Sequence, residues 1–174
     1  MIYNATNLIS ETFDTYNLKY RISEIGDASV VEAGFVIEAG PEVIVRFISQ
    51  DNDNDVAVRV FGLVHKVPAS KRMEIMEVCN ALCAEIRYLK FYVDSMGNVN
   101  VEADLPIRTN DDCLGECCFE LFVRMMHILE GEYHRFADVL YANGKNNAGS
   151  PLELLRALQE LRDTPFIMKN GETA

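Results

Sequence analysis

Residues 43–64 read VIVRFISQDNDNDVAVRVFGLV. Two apolar runs flank a stretch of alternating Asp and Asn. In an extended chain, side chains alternate between the two faces. In the first run Val43, Val45 and Phe47 therefore share one side, and Ile44, Arg46 and Ile48 the other. In the second, Val56, Val58, Val60 and Val64 face one way, and Ala57, Arg59, Phe61 and Leu63 the other. Asx side chains bond nearby backbone and favour turns. The stretch predicts strands over 43–48 and 56–64 joined by a polar turn at 51–55. Asp51, Asp53 and Asp55 match the first three ligand positions of a calcium loop. Such a loop also needs Gly sixth and Glu twelfth, where this chain has Val56 and Gly62.

The neighbouring segments extend the same pattern. A weaker strand is predicted over 19–25 and another over 35–39, the latter joined to 43–48 by Gly40-Pro41. Ala5, Leu8, Ile9, Phe13 and Tyr16 recur at helical spacing, predicting a helix over 4–16. Pro68 suits the first turn of a second helix over 69–86, with a stripe of Met76, Cys79, Leu82, Cys83 and Ile86. Strands over 88–93 and 99–105 follow, joined at Met96-Gly97-Asn98. In the second of these Val99, Val101, Ala103 and Leu105 alternate with Asn100, Glu102 and Asp104. A long helix over 112–141 carries Leu114, Cys118, Leu121, Phe122, Met125, Leu129, Tyr133 and Phe136. Residues 143–149 read as a loop. Ser150, Pro151 and Glu153 form the capping box of a last, short helix that Asp163-Thr164-Pro165 ends.

The order α-βββ-α-ββ-α plus a C-terminal helix, with hairpin-linked strands, predicts an α+β fold with a mostly antiparallel sheet. The expected organisation is one domain over 1–141, followed by a loop, a short amphipathic helix and a loose tail over 142–174.

Composition narrows the function. The 174 residues are 49% hydrophobic, as a packed core requires. The net charge of −11 and pI near 4.7 oppose binding to phosphate backbones. They suit a soluble protein, or one whose partner brings a basic or amphipathic segment. No apolar run approaches the ~20 residues that span a bilayer. Residues 1–14 lack the basic start and apolar stretch of a secretory leader, so the chain is expected to stay in the cytoplasm, without membrane or nucleic-acid partners.

The most chemical-looking segment is DDCLGECC, residues 111–118. Thr109, Asn110, Asp111 and Asp112 precede a strong helical period, and such residues satisfy the free N–H groups and dipole of a helix start. Cys113 and Cys117, one turn apart, supply half a tetrahedral metal site, and no second CxxC-like pair supplies the rest. Cys113 has no basic neighbour to activate it. His127 and His134 lie two turns apart, too far to share a metal, and His65 is isolated. No nucleophile elbow and no phosphate loop is present. The reading is a protein without catalytic residues, metal or cofactor.

The remaining surface of interest is the second face of the central strands. With the valine-rich faces against the helices, Ile44, Arg46, Ile48, Arg59, Phe61 and Leu63 point outward. An antiparallel sheet that is apolar on both sides needs a second cover. The C-terminal helix or a protein partner could supply it, and these six residues are the candidate partner-binding set.

Several stretches carry a resemblance. They are VRVF (58–61), VP (67–68), VCNALC (78–83), LKFYVDSMGNV (89–99) and ADLP (103–106). Together they resemble the YbjN family of bacterial sensory transduction regulators over residues 18–136. The family pattern has a second Asn at the helix end where this chain has Cys83, and a second Asp in the hairpin where it has Met96. The resemblance implies a fold similar to type III secretion chaperones, which are small, acidic and often dimeric proteins that hold segments of other proteins. It implies no catalytic residues. The expected function is a non-enzymatic protein-binding module, chaperone-like or a regulatory adaptor, forming a homodimer. The alternative is a small-molecule sensor with a pocket between sheet and helices.

Overall fold

In the computed structural model, which describes residues 2–50, 56–106 and 111–141, the central alternation is realised as two paired strands, β3 (Glu42–Ser49) and β4 (Val56–Val64). The Asp-Asn turn at 51–55, Thr109 and Asn110, and the loop, helix and tail expected over 142–174 lie outside the described residues. The other elements are α1 (Asn4–Thr15), β1 (Tyr20–Ile25), β2 (Ala28–Val36), α2 (Arg72–Glu85), β5 (Lys90–Val93), β6 (Val99–Leu105) and α3 (Leu114–Tyr141). The strands form one six-stranded sheet in the order β1-β2-β3-β4-β6-β5, antiparallel at every pairing. The fold is α+β. The weak strand is a full one, so four strands rather than three precede α2.

The strand expected over 35–39 is corrected to β2, which begins at Ala28. Ile25 pairs with Ala28 across Gly26-Asp27, a two-residue hairpin link with Gly at positive φ. The sequence ASVVEA (28–33) hides this strand because all six of its residues are buried, which removes the alternation that reveals strands.

Val43, Val45, Phe47, Val56, Val58 and Val60 all face one core, shared with Ile9 and Phe13 of α1, Ile75 and Leu82 of α2, and Met125 and Leu129 of α3. The three helices thus cover one face of the sheet. The stripe of α3 is as predicted, with Tyr133 half-buried and the other seven residues buried. The stripe of α2 is corrected: Ile75, Cys79 and Leu82 are buried, and Met76 is 47% exposed. A 3-10 turn at Ala69–Lys71 precedes the helix.

Two family-like motifs have local structural roles. Asp94 closes the β5–β6 hairpin: its Oδ1 accepts the Met96 and Asn98 N–H groups at 2.8 Å each, and its Oδ2 accepts the Asn98 and Asn100 amides. Hydrogen bonding, led by the Asn98 N–H, holds its carboxyl below the ordinary value. The Cys83 thiol accepts the Phe91 N–H at 3.1 Å and lies 3.4 Å from the Phe91 carbonyl oxygen. A thiol can both donate and accept weakly, which explains how Cys83 occupies a position where the family pattern has an amide. Among the described residues, no helix is long and apolar enough to cross a membrane.

Candidate functional site

The sheet face turned away from the helices is organised by register. Arg21 pairs with Glu32, Glu32 with Arg46, Arg46 with Arg59, Arg59 with Glu102, and Glu102 with Lys90. One row of charged side chains therefore crosses all six strands. Glu32 sits between two guanidinium groups: it accepts from Arg21 Nε at 2.8 Å and from Arg46 Nε at 2.8 Å. Arg59 meets Asp104 at 2.7 Å and Glu102 at 3.7 Å, and donates to the Ala103 carbonyl at 2.8 Å. The Tyr92 hydroxyl donates to Glu102 at 2.6 Å, and this bond raises the phenol pKa.

Like charges directly opposite in a sheet are destabilising. Arg46 and Arg59 are such a pair, and flanking carboxylates on both sides offset their repulsion. Burial alone would raise the Glu32 pKa. The hydrogen bonds from Arg21 and Arg46 outweigh that, and the carboxyl lies below its ordinary value. A depressed pKa contributes stability above the unfolded-state value, and that contribution is lost as pH falls through the folded one. Glu32→Gln is therefore expected to be less stable than the natural protein at pH 7. The gap should close as pH drops below the ordinary carboxylate value of ~4.3. Urea midpoints measured across this range test it, and a gap unchanged at low pH would contradict the charge-pair assignment.

Apolar side chains flank the charge row. Phe61 is 51% exposed and Ile44 37% exposed. The Arg46 guanidinium lies 5.5 Å from the Phe61 ring centroid, a cation–π arrangement. Ile48, Arg46 and Arg59 are half-buried. Towards the other end of the face Val30, opposite Ile48, is fully buried.

Of the six residues expected outward, Leu63 is corrected: it is 2% exposed and belongs to the core. Val60 pairs with Val101 and Val64 with Val99, so β4 spends four residues where β6 spends two. Gly62, at φ +71°, sits in this bulge, and its N–H is accepted by Asn100 Oδ1 at 2.9 Å. The bulge turns Leu63 inward and leaves Phe61 outward. A lone Gly inside a strand pattern is a bulge signal, and it was available at Gly62.

The cysteine-rich segment starts α3. The Leu114 N–H bonds the Asp111 carbonyl and the Cys117 N–H the Cys113 carbonyl, each at 3.0 Å. Leu114, Gly115 and Cys118 are buried in the packing against the rest of the domain. Burial, then the neighbouring Cys113 thiol, raises the Cys117 pKa. Burial pushes Cys79 up to about 12 and raises Cys118 as well. These shifts disfavour the thiolate that nucleophilic chemistry needs. Among the described residues, no group of three or more His, Cys, Asp or Glu side chains is placed to hold a metal.

A family model described as "Putative bacterial sensory transduction regulator" matches residues 8–125. No curated protein matches the chain.

Proposed function

The chain belongs to the YbjN family, and on that premise we propose that it is a cytoplasmic, non-enzymatic regulatory adaptor that binds a protein partner on the sheet face opposite the three described helices. The observation that carries this reading is the exposed Phe61–Ile44 patch beside Arg46, on the side of the sheet opposite all three described helices. Exposed aromatic surface with a positioned arginine is the composition of interface centres. Phe61 and Ile44 supply area that excludes water on contact. Arg46, held by Glu32 and lying over Phe61, supplies orientation.

The charge row adds a preference. It holds Arg21, Arg46, Arg59 and Lys90 against Glu32 and Glu102, in a chain whose net charge is −11. The partner surface that fits is apolar with carboxylates at its margin, since elsewhere an acidic chain repels such a surface. The homodimer expected for this chain is the other occupant of this face, in which the charge row would meet its own copy.

Phe61→Asp places a carboxylate at the patch centre on a half-exposed side chain, where the core is not disturbed. The variant should melt with the natural protein and lose its partner in a side-by-side capture from native lysate. Light scattering of both proteins reports whether the partner is a second copy. A folded variant that keeps every captured protein and the same mass would rule out this face.

A further inference from the structure

On the helix side of the sheet, away from Phe61, α3 and the β5–β6 end enclose a cleft of about 220 Å³. Leu89, Leu121 and Met125 are buried and form its floor, Leu105 and Ile128 are half-buried walls, and Tyr88 stands exposed at the rim. Glu120 and Arg124 also line it and are both exposed. They lie four residues apart on α3, the spacing at which opposite charges on a helix meet. Neither forms a salt bridge among the described residues. The cleft therefore has an apolar interior and a mouth carrying one cation and one anion.

We propose that this cleft binds a free α-amino acid with an apolar side chain. The side chain fills the space over Leu89, Leu121 and Met125, the carboxylate meets Arg124, and the ammonium meets Glu120. The guanidinium fork matches a carboxylate in a bidentate arrangement. Glu120 is the complementary acceptor for an ammonium, and the two ligand charges are as close to each other as a one-turn spacing requires. Both charged protein groups face water, so the ligand keeps its polar end hydrated and no ion pair is forced into the interior. The volume is below the roughly 300–1,000 Å³ of pockets that take drug-sized ligands, which favours a single amino acid over a peptide or a long acyl chain. The cleft would give the regulator a metabolite input. It rests on the cleft alone and does not require the sheet face to bind a partner.

The test is isothermal titration of the full chain with L-leucine, L-isoleucine, L-methionine and L-phenylalanine. Two truncated probes accompany leucine: 4-methylpentanoate, which lacks the ammonium, and 3-methylbutylamine, which lacks the carboxylate. Saturable binding of at least one amino acid is expected, weakened about tenfold or more when either charge is missing from the ligand. Arg124→Gln and Glu120→Gln, both at exposed positions, should weaken it by a similar factor. The absence of binding by all four amino acids at millimolar concentration overturns the proposal. So does equal affinity for the truncated probes, which would make the cleft a nonspecific apolar site. The probe comparison uses the unaltered chain and stands even if a variant misfolds.

Discussion

Phe13→Ala is expected to lower folding stability by about 3–5 kcal/mol, the range for deleting a buried aromatic side chain. Phe13 is fully buried, as are Ala5 and Ile9 of the same helix, and it makes the aromatic contacts between α1 and the sheet. Its ring meets Phe47 of β3 edge-on at 5.5 Å and Tyr20 of β1 at 6.0 Å. It meets Phe119 and Phe122 of α3 at 6.3 and 6.2 Å. One side chain thus ties the first helix, the central sheet and the long helix together. Edge-to-face pairs add ~0.5–1.5 kcal/mol each beyond burial, and they share one ring, so their loss is not additive. Domains are stable by only about 5–15 kcal/mol, which makes this a large fraction. Phe13→Leu keeps much of the volume and should lose clearly less. Urea unfolding with an unchanged slope would show a stability effect and not a changed denatured state. A loss below ~1 kcal/mol would mean that α1 contributes little to the core.

Phe13 was legible in the sequence because it continues the apolar stripe of α1 at helical spacing. The same holds for the stripe of α3 and the alternation of β6, where burial on one side leaves a period that local reading detects. Three features were not legible, each for a physical reason. The β2 strand is buried on both faces, so no alternation marks it. Leu63 is inward because a bulge resets the period after Phe61, and Gly62 signals that a bulge is there but not how many residues it inserts. The charge row depends on pairings such as Arg59 with Glu102, far apart in sequence, and on β6 inserting between β4 and β5. Local pattern carries neither fact. The sequence therefore showed that Arg46 and Arg59 face outward, but not that carboxylates hold both in place. DDCLGECC drew attention for its thiols, whereas its structural importance lies in the one residue among them with no side chain.

That residue is Gly115, and it supports the last prediction. A Cβ added there would collide with the Thr12 Oγ1 and Cβ and come within 2.5 Å of the Leu8 carbonyl oxygen. The Thr12 hydroxyl already donates to that carbonyl at 3.0 Å, so α1 presents backbone and a fixed side chain, and cannot yield by a rotamer change. Gly115 sets how closely α1 approaches α3, reinforced by Tyr16 stacked on Phe119 at 3.9 Å. Gly131 provides a control on the same helix, since nothing lies within 4 Å of a Cβ built there. Helix propensity alone predicts that Gly→Ala stabilises at either site, by up to about 1 kcal/mol. Gly131→Ala should follow that rule. Gly115→Ala should instead destabilise by about 1–3 kcal/mol, the usual cost of overpacking, because separating the helices also loosens Phe13 from Phe119 and Phe122. Opposite signs for one substitution at two positions of α3, measured by thermal or urea unfolding, would establish the close α1–α3 contact. The same sign at both would show that α1 is free to move away from α3, and would remove the support for Phe13 as the tie between them.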